Sequence, residues 1–122
     1  MENKHEISIA NGKICYIELP AIDLIISSNF YKAVFKWEIN YRENGDITFH
    51  DGVEVSGRWV MDRKPASEIR MLVHIMVDDI DATIQLIIEN DGKIVSPKSM
   101  HGSSFSALFN DPAGNILGVY QQ

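Results

Sequence analysis

The sequence predicts an α+β fold in which two βαβββ modules form a curved eight-stranded mixed sheet around a cavity, with the helices on the outer face. Three observations predict it. A short β-rich run, an Asp-capped amphipathic segment and three further β-rich runs occur in that order, and then the order restarts. The two capping residues, Asp23 and Asp79, lie 56 positions apart (79 − 23), and at that offset Leu24 meets Ile80, Phe30 meets Leu86 and Lys36 meets Gly92. Each module alone would leave one sheet face bare, whereas two side by side can cover one face with helices and curl the other around a cavity.

The elements follow in order. Residues 1–12 are polar and end in Asn11-Gly12, a tail or lead-in turn. Lys13–Leu19 (KICYIEL) is a strand closed by Pro20. Asp23 is a good N-cap for LIISSNFYKAVF, whose Leu24, Ile25, Ile26, Phe30, Tyr31, Val34 and Phe35 make an apolar helical face. Lys36 stands where a helix-ending glycine would be more comfortable, and the left-handed conformation there costs about 1 kcal/mol. Strands are expected near Glu38–Arg42, Asp46–His50 and Val53–Met61, with hairpin-like turns at Glu43-Asn44-Gly45 and Asp51-Gly52. Module 1 thus spans about 14–62, a linker about 63–69 and module 2 about 71–120. In the second module Arg70–Val77 is a strand, Asp78-Asp79 caps a helix from Ile80 to about Asn90, and Gly92 is expected to end it as a left-handed cap. Further strands are expected near Lys93–Ser96, Ser104–Phe109 and Asn115–Tyr120, the last two joined by the turn Asp111-Pro112-Ala113-Gly114.

Composition narrows the function classes. The chain has 122 residues, 45% hydrophobic and 23% charged, as in a single globular domain. No stretch approaches the roughly 20 apolar residues of a membrane span, and MENKHEISIANGK has no apolar signal core, so a cytoplasmic location is expected. The net charge of −6 and scattered basic residues give no nucleic-acid groove. Nucleotide-binding glycine motifs are absent. The lone Cys15, within the apolar run ICYIEL, excludes an internal disulfide and is expected to be a small buried hydrophobe.

The repeated units, with YIELPAIDLIISSNFYKAVFKWEI (16–39), HIMVDDIDATIQLIIENDGKIV (74–95) and NDPAGNILGVYQ near the end, resemble the glyoxalase / bleomycin-resistance / extradiol-dioxygenase superfamily, also called the vicinal-oxygen-chelate fold. The resemblance covers nearly the whole chain. It implies a cavity against the sheet and, in the family's enzymes, a divalent metal held by His and Glu side chains from four strands. The positions matching those ligands are Tyr16, Leu72, Gly118 and a fourth on Val53–Met61, with Ser56 or Arg58 the expected occupant and Glu54 the strand's carboxylate. Leucine and glycine have no donor atoms, and tyrosine must lose a proton from a group of pKa about 10. No metal and no cofactor are therefore expected.

Strand alternation puts Ile14, Tyr16 and Glu18, then Leu72, His74 and Met76, then Ile116, Gly118 and Tyr120 on the cavity face. The other parity, Cys15, Ile17, Leu19, Val73, Ile75, Val77, Leu117 and Val119, is apolar, as a helix-covered face should be. Glu18 and His74 are equivalent under the 56-residue offset and form the candidate acid–base pair; the alternative is a partly solvated polar pair at the cavity mouth or dimer seam. Tyr16, Arg58, Trp59, Leu72, His101, Phe105, Gly118 and Tyr120 are the candidate ligand-binding residues, with Trp37 and Phe49 as further aromatic walls. Only one of Arg58 and Trp59 can face the cavity squarely, and an inward Arg58 suits a carboxylate or phosphate. Phe30, Tyr31 and Phe35 belong to the core. His101 lies in a loop, Ser99–Ser103, expected to cover the cavity; His50 is expected to be exposed, and His5 to be an idle tail residue.

The leading expectation is a metal-free protein that binds a small organic molecule, as a homodimer by resemblance. A metal-free enzyme using Glu18 and His74 on a small oxygenated substrate, and a metal-dependent lyase or dioxygenase, are the alternatives. Whether the chain is an enzyme stays open; if it is one, the resemblance implies lyase, isomerase or dioxygenase chemistry.

Overall fold

A computed structural model describes residues 9–122, so His5 lies outside the described residues. The element order is β1 (Tyr16–Pro20), α1 (Leu24–Phe35), β2 (Glu38–Tyr41), β3 (Ile47–His50), β4 (Ser56–Val60), β5 (His74–Met76), α2 (Ile80–Glu89), β6 (Lys93–His101), β7 (Ser104–Asn110) and β8 (Ile116–Gln121). The βαβββ order thus appears twice. Asp23 caps α1, its Oδ1 accepting the Ile25 and Ile26 amides at 2.9 and 3.0 Å. Asp79 caps α2 through the Ala82 amide at 3.1 Å.

The helix ends differ from each other. Lys36 closes α1 in the left-handed region at φ 62°, as expected. After α2 the left-handed residue is Asp91 (φ 72°), not Gly92. Gly92 is required for another reason. A Cβ there would stand 2.6 Å from Ile87 Cγ2, 2.9 Å from Phe30 Cε1 and 3.0 Å from the Asn110 carbonyl oxygen. The glycine lets the chain leaving α2 pass tightly over the core and under β7.

The strands form two four-stranded mixed sheets, ordered β1-β4-β3-β2 and β5-β8-β7-β6, instead of one sheet of eight. Each sheet contains one parallel pair, β1 with β4 and β5 with β8. Helix α1 ties the two together. The Tyr31 ring centroid lies 5.8 Å from that of Trp59 on β4, and the Phe30 centroid 6.0 Å from that of Phe109 on β7. Phe30 and Tyr31 are buried as expected, and Phe35 packs against the same core, which also takes in Leu19, Ile80, Ile87, Leu117 and Val119. Both sheets therefore put one face on a shared helical core.

A polar knot fastens the sheets behind this core. Tyr31 Oη donates to Asp111 Oδ2 at 2.8 Å, and Asp111 Oδ1 accepts the amides of Ala113, Gly114 and Asn115. The Asn115 side chain donates to the Pro20 carbonyl at 2.7 Å and accepts the Ala66 amide at 2.7 Å. The turn Asp111–Gly114 is thus bonded to α1, to the end of β1 and to the chain between the modules. Burial pushes the Asp111 carboxyl up, and burial, then Asp111 itself, pushes the Tyr31 phenol well up.

Four strands differ from the sequence expectation by three residues or more at one end; β1 begins at Tyr16 instead of Lys13 and β4 at Ser56 instead of Val53. β6 continues to His101 instead of stopping at Ser96, with register irregularities between Ile94 and Ser96 and between Ser96 and Ser99. It is an edge strand, where Pro97 removes a donor without orphaning an interior partner. β5 is shorter, starting only at His74. No helix is long and apolar enough to cross a membrane among the described residues.

Candidate functional site

Residues paired across neighbouring strands share a face, so the register shows what each sheet presents away from the helices. In the first sheet Tyr16 pairs with Ser56 and Glu18 with Arg58, while Thr48 pairs with Arg58 and His50 with Ser56. In the second, His74 pairs with Gly118 and Met76 with Tyr120. Tyr16 is 49% exposed, and His74 and Met76 are also open. The opposite parity carries Leu19, Trp59, Leu117 and Val119, all in the core. The alternation read from hydrophobicity is the alternation observed, except that Cys15 and Val73 are exposed instead of buried. Cys15 sits just ahead of the first residue of β1, and β1 is an outer strand of its sheet.

Arg58 is the electrostatic centre of the first sheet's open face. Its Nη2 lies 3.0 Å from Glu18 Oε2, and its Nη1 lies 3.2 Å from Asp46 Oδ2. Glu18 also takes Arg63 Nη1 at 2.9 Å on its other oxygen. The chain Arg63–Glu18–Arg58–Asp46 alternates in sign and balances to zero. The hydrogen bond to Glu18 raises the Arg58 guanidinium further above its already high value. Beside it, the buried Thr48 hydroxyl has no hydrogen-bond partner among the described residues. His50, expected to be exposed, is only 7% accessible; its Nδ1 accepts the Gly52 amide at 2.8 Å, which folds the ring back over its own turn.

The second sheet's open face is organised around Gly118. A Cβ at Gly118 would overlap the His74 imidazole, so the ring occupies the space a side chain there would need. The rung that holds Glu18 and Arg58 in one sheet therefore corresponds to the rung that holds His74 and Gly118 in the other. Glu18 and His74 do occupy equivalent rungs, yet no hydrogen bond or ion pair joins them among the described residues. Glu18 is engaged by two guanidinium groups instead.

The other sequence-predicted residues separate. Leu72 is half-buried and precedes β5. Trp59 is 2% exposed on the core side, which leaves Arg58 on the open face. Phe105 pairs with Gln121, of opposite parity to Tyr120, and packs against the core with Lys98 Nζ 4.9 Å above its ring. Trp37 stacks between Tyr31 and Phe49, at 4.8 and 4.5 Å. His101 closes β6 at an exposed hairpin tip instead of lying in a loop, its Nε2 3.0 Å from Ser99 Oγ. Sequence reasoning missed Asp46, Arg63 and Thr48. Alternation along Asp46–His50 puts Asp46, Thr48 and His50 on one side, but only the register to β4 shows that this side is Arg58's.

The positions that match the family's metal ligands do not fit a metal. Gly118 offers only the space that His74 fills, Leu72 has no donor, and Arg58 brings a positive charge. Among the described residues no three His, Cys, Asp or Glu side chains converge on a point that could hold an ion.

A cavity of about 640 Å³ borders the second of these faces, with His74 and Met76 in its lining. It runs between the β3–β4 end of the first sheet and β5, under the end of α1 and the start of α2.

Comparison with known proteins converges on one family. The model of the Glyoxalase/Bleomycin resistance protein/Dioxygenase superfamily matches residues 13–119. A "Glyoxylase-like domain-containing protein" of Didymella fabae is 28% identical over 121 residues, covering 91% of this chain and 94% of its own. Among solved structures, the fosfomycin resistance protein FosX of Mesorhizobium loti superposes with a TM-score of 0.74 at 15% identity, covering 93% of this chain and 94% of that one. TnmS3, an antibiotic binding protein of Streptomyces sp. CB03234, superposes with a TM-score of 0.71 at 21% identity, covering 93% and 98%.

Proposed function

This chain belongs to the Glyoxalase/Bleomycin resistance protein/Dioxygenase superfamily, and from that premise we propose that it binds a small organic molecule without a metal ion, in a cavity that its open sheet faces complete with a second copy of the chain. The observation that carries the reading is the rung made by Glu18–Arg58 and His74–Gly118. At these positions the sheets offer a neutralised guanidinium, an imidazole and bare backbone in place of a donor set for a cation.

Two further observations support it. Single faces with Tyr16 and Met76 at 49% and 68% exposure are poor surfaces to leave in water, and a second copy would cover them. The likeness to a fosfomycin resistance protein and an antibiotic binding protein supports a small organic ligand. Arg58, Thr48 and Tyr16 supply the polar contacts and Tyr120 an aromatic wall. Because Arg58 is already balanced by Glu18 and Asp46, the face suits a neutral oxygenated molecule that inserts hydrogen bonds between charges, better than it suits a free anion. The acid–base use of Glu18 and His74 has less support, since Glu18 is held by Arg58 and Arg63.

Native mass spectrometry of the purified protein tests all three parts. The expected result is a dimer carrying an organic adduct and no stoichiometric metal. Nickel, zinc, manganese or iron retained near one per chain would overturn the metal-free reading, and a monomer at micromolar concentration would overturn the shared cavity.

A further inference from the structure

We propose that the 640 Å³ cavity between the first sheet and β5 is a second ligand site, built for an amphipathic organic cation: an apolar or aromatic body bearing a protonated amine. It adjoins the second sheet's open face, with which it shares His74 and Met76, and its floor lies on the core side. Its apolar walls include side chains of core parity, with Phe35, Trp37 and Phe49 from the first module and Val73, Ile75 and Val77 from β5 and its flanks. A volume of this size lies in the range of pockets that enclose drug-sized molecules.

The charge at the rim selects the ligand class. Asp51, Asp78 and Asp79 line the cavity, together with His74, and neither Lys nor Arg does. Two of the carboxylates are engaged locally. Asp51 Oδ1 accepts the Val53, Glu54 and Val55 amides, and Asp79 caps α2. Each remains a negative charge in the cavity lining while holding the local backbone. Asp78 makes no hydrogen bond among the described residues and is exposed, so its carboxylate is available to a ligand. An anionic ligand would meet three like charges at the mouth; an ammonium meets opposite ones while its body enters the apolar interior. Both faces of the Trp37 ring are covered by Tyr31 and Phe49, so the cation is held at the rim carboxylates and not on that ring.

The test uses an isosteric pair, 4-phenylbutylammonium and 4-phenylbutyrate, titrated into the full chain by calorimetry with tryptophan emission as a second readout. Trp37 lines the cavity and reports on it. The ammonium is expected to bind saturably at millimolar or lower concentration, and the carboxylate at least about tenfold more weakly, as opposite against like charge at a half-open rim implies. Asp78→Asn should weaken the ammonium by about threefold, the size of one partly screened charge. Ala82→Phe, on the exposed first turn of α2 at the cavity wall, should abolish binding while circular dichroism stays unchanged. Equal affinity for both probes, no saturable binding of the ammonium, or an Ala82→Phe chain that still binds would overturn the proposal. So would loss of ammonium binding as the protein is concentrated into a dimer, because the cleft would then be an interface between copies. The ligand of the open sheet faces is read separately, by what co-purifies.

Discussion

The His74 imidazole lies across Gly118 on the neighbouring strand and fills the space of the missing side chain. Gly118→Ala therefore brings two effects of opposite sign. An alanine in a strand loses less backbone entropy than glycine, by about 0.5–1 kcal/mol, while the new methyl displaces the His74 ring. His74 is exposed and can swing aside, so the single substitution should change stability by less than about 1 kcal/mol. In a His74→Ala background the displacement cost vanishes and Gly118→Ala should become stabilising. A double-mutant cycle by chemical denaturation should show coupling of about 0.5–1 kcal/mol. Zero coupling would mean that the ring does not rest on Gly118.

Arg58 should matter to binding more than to stability. Its ion pairs with Glu18 and Asp46 are partly exposed, and such pairs contribute about 0–1 kcal/mol. Arg58→Ala is expected to lower the denaturation midpoint only slightly, and to strip the co-purifying organic mass seen by native mass spectrometry. Arg58→Lys should restore charge without restoring the adduct, since an ammonium cannot serve Glu18 and Asp46 with one planar fork. An adduct that survives Arg58→Ala would remove this residue from the ligand site.

Much of this was legible because it is local. Asp23 and Asp79 announce their helices by residue type and by the apolar periodicity that follows, and strand alternation sorts Leu19 from Glu18 without coordinates. What was not legible depends on register and on distant partners. Nothing local to Glu18 says that Arg63 and Arg58 will reach it, so an acid–imidazole pair looked equally natural. His50 and Cys15 illustrate the same limit from opposite sides. His50 bends onto the Gly52 amide and becomes buried, while Cys15, in an apolar run, falls just outside a strand that has no neighbour on its outer side. Gly92 carried the right identity for a different reason: it yields to Phe30, 62 positions earlier in the chain (92 − 30), instead of adopting a left-handed turn.

That close approach gives a sharp stability prediction. Gly92→Ala puts a methyl within 3.0 Å of Ile87, Phe30 and the Asn110 carbonyl, all fixed by the core or by the β6–β7 ladder. None is the loose end of a flexible side chain. Overpacking of this kind costs about 1–3 kcal/mol, well beyond the small gain from replacing a glycine. Equilibrium denaturation should show the loss, and an unchanged or raised midpoint would show that the α2–β6 junction relaxes freely.

The Tyr31–Asp111 hydrogen bond predicts how the fold responds to alkali. Burial, reinforced by the Asp111 charge and hydrogen bond, raises the phenol well above its ordinary value of 10.0. In the unfolded chain it titrates near that ordinary value. Between the two values the folded state holds a proton that the unfolded state has released, so stability falls as pH rises through that window and is fully present below it. Tyr31→Phe removes the titrating group. At neutral pH it should cost about 1–3 kcal/mol, because Asp111 loses a donor in a buried setting. Above pH 10 the native chain should lose stability faster than the variant, so that the gap between them narrows. The difference between the two denaturation midpoints, followed from neutral to alkaline pH, measures this directly. A gap that stays constant or widens would mean that Tyr31 does not carry the alkaline sensitivity.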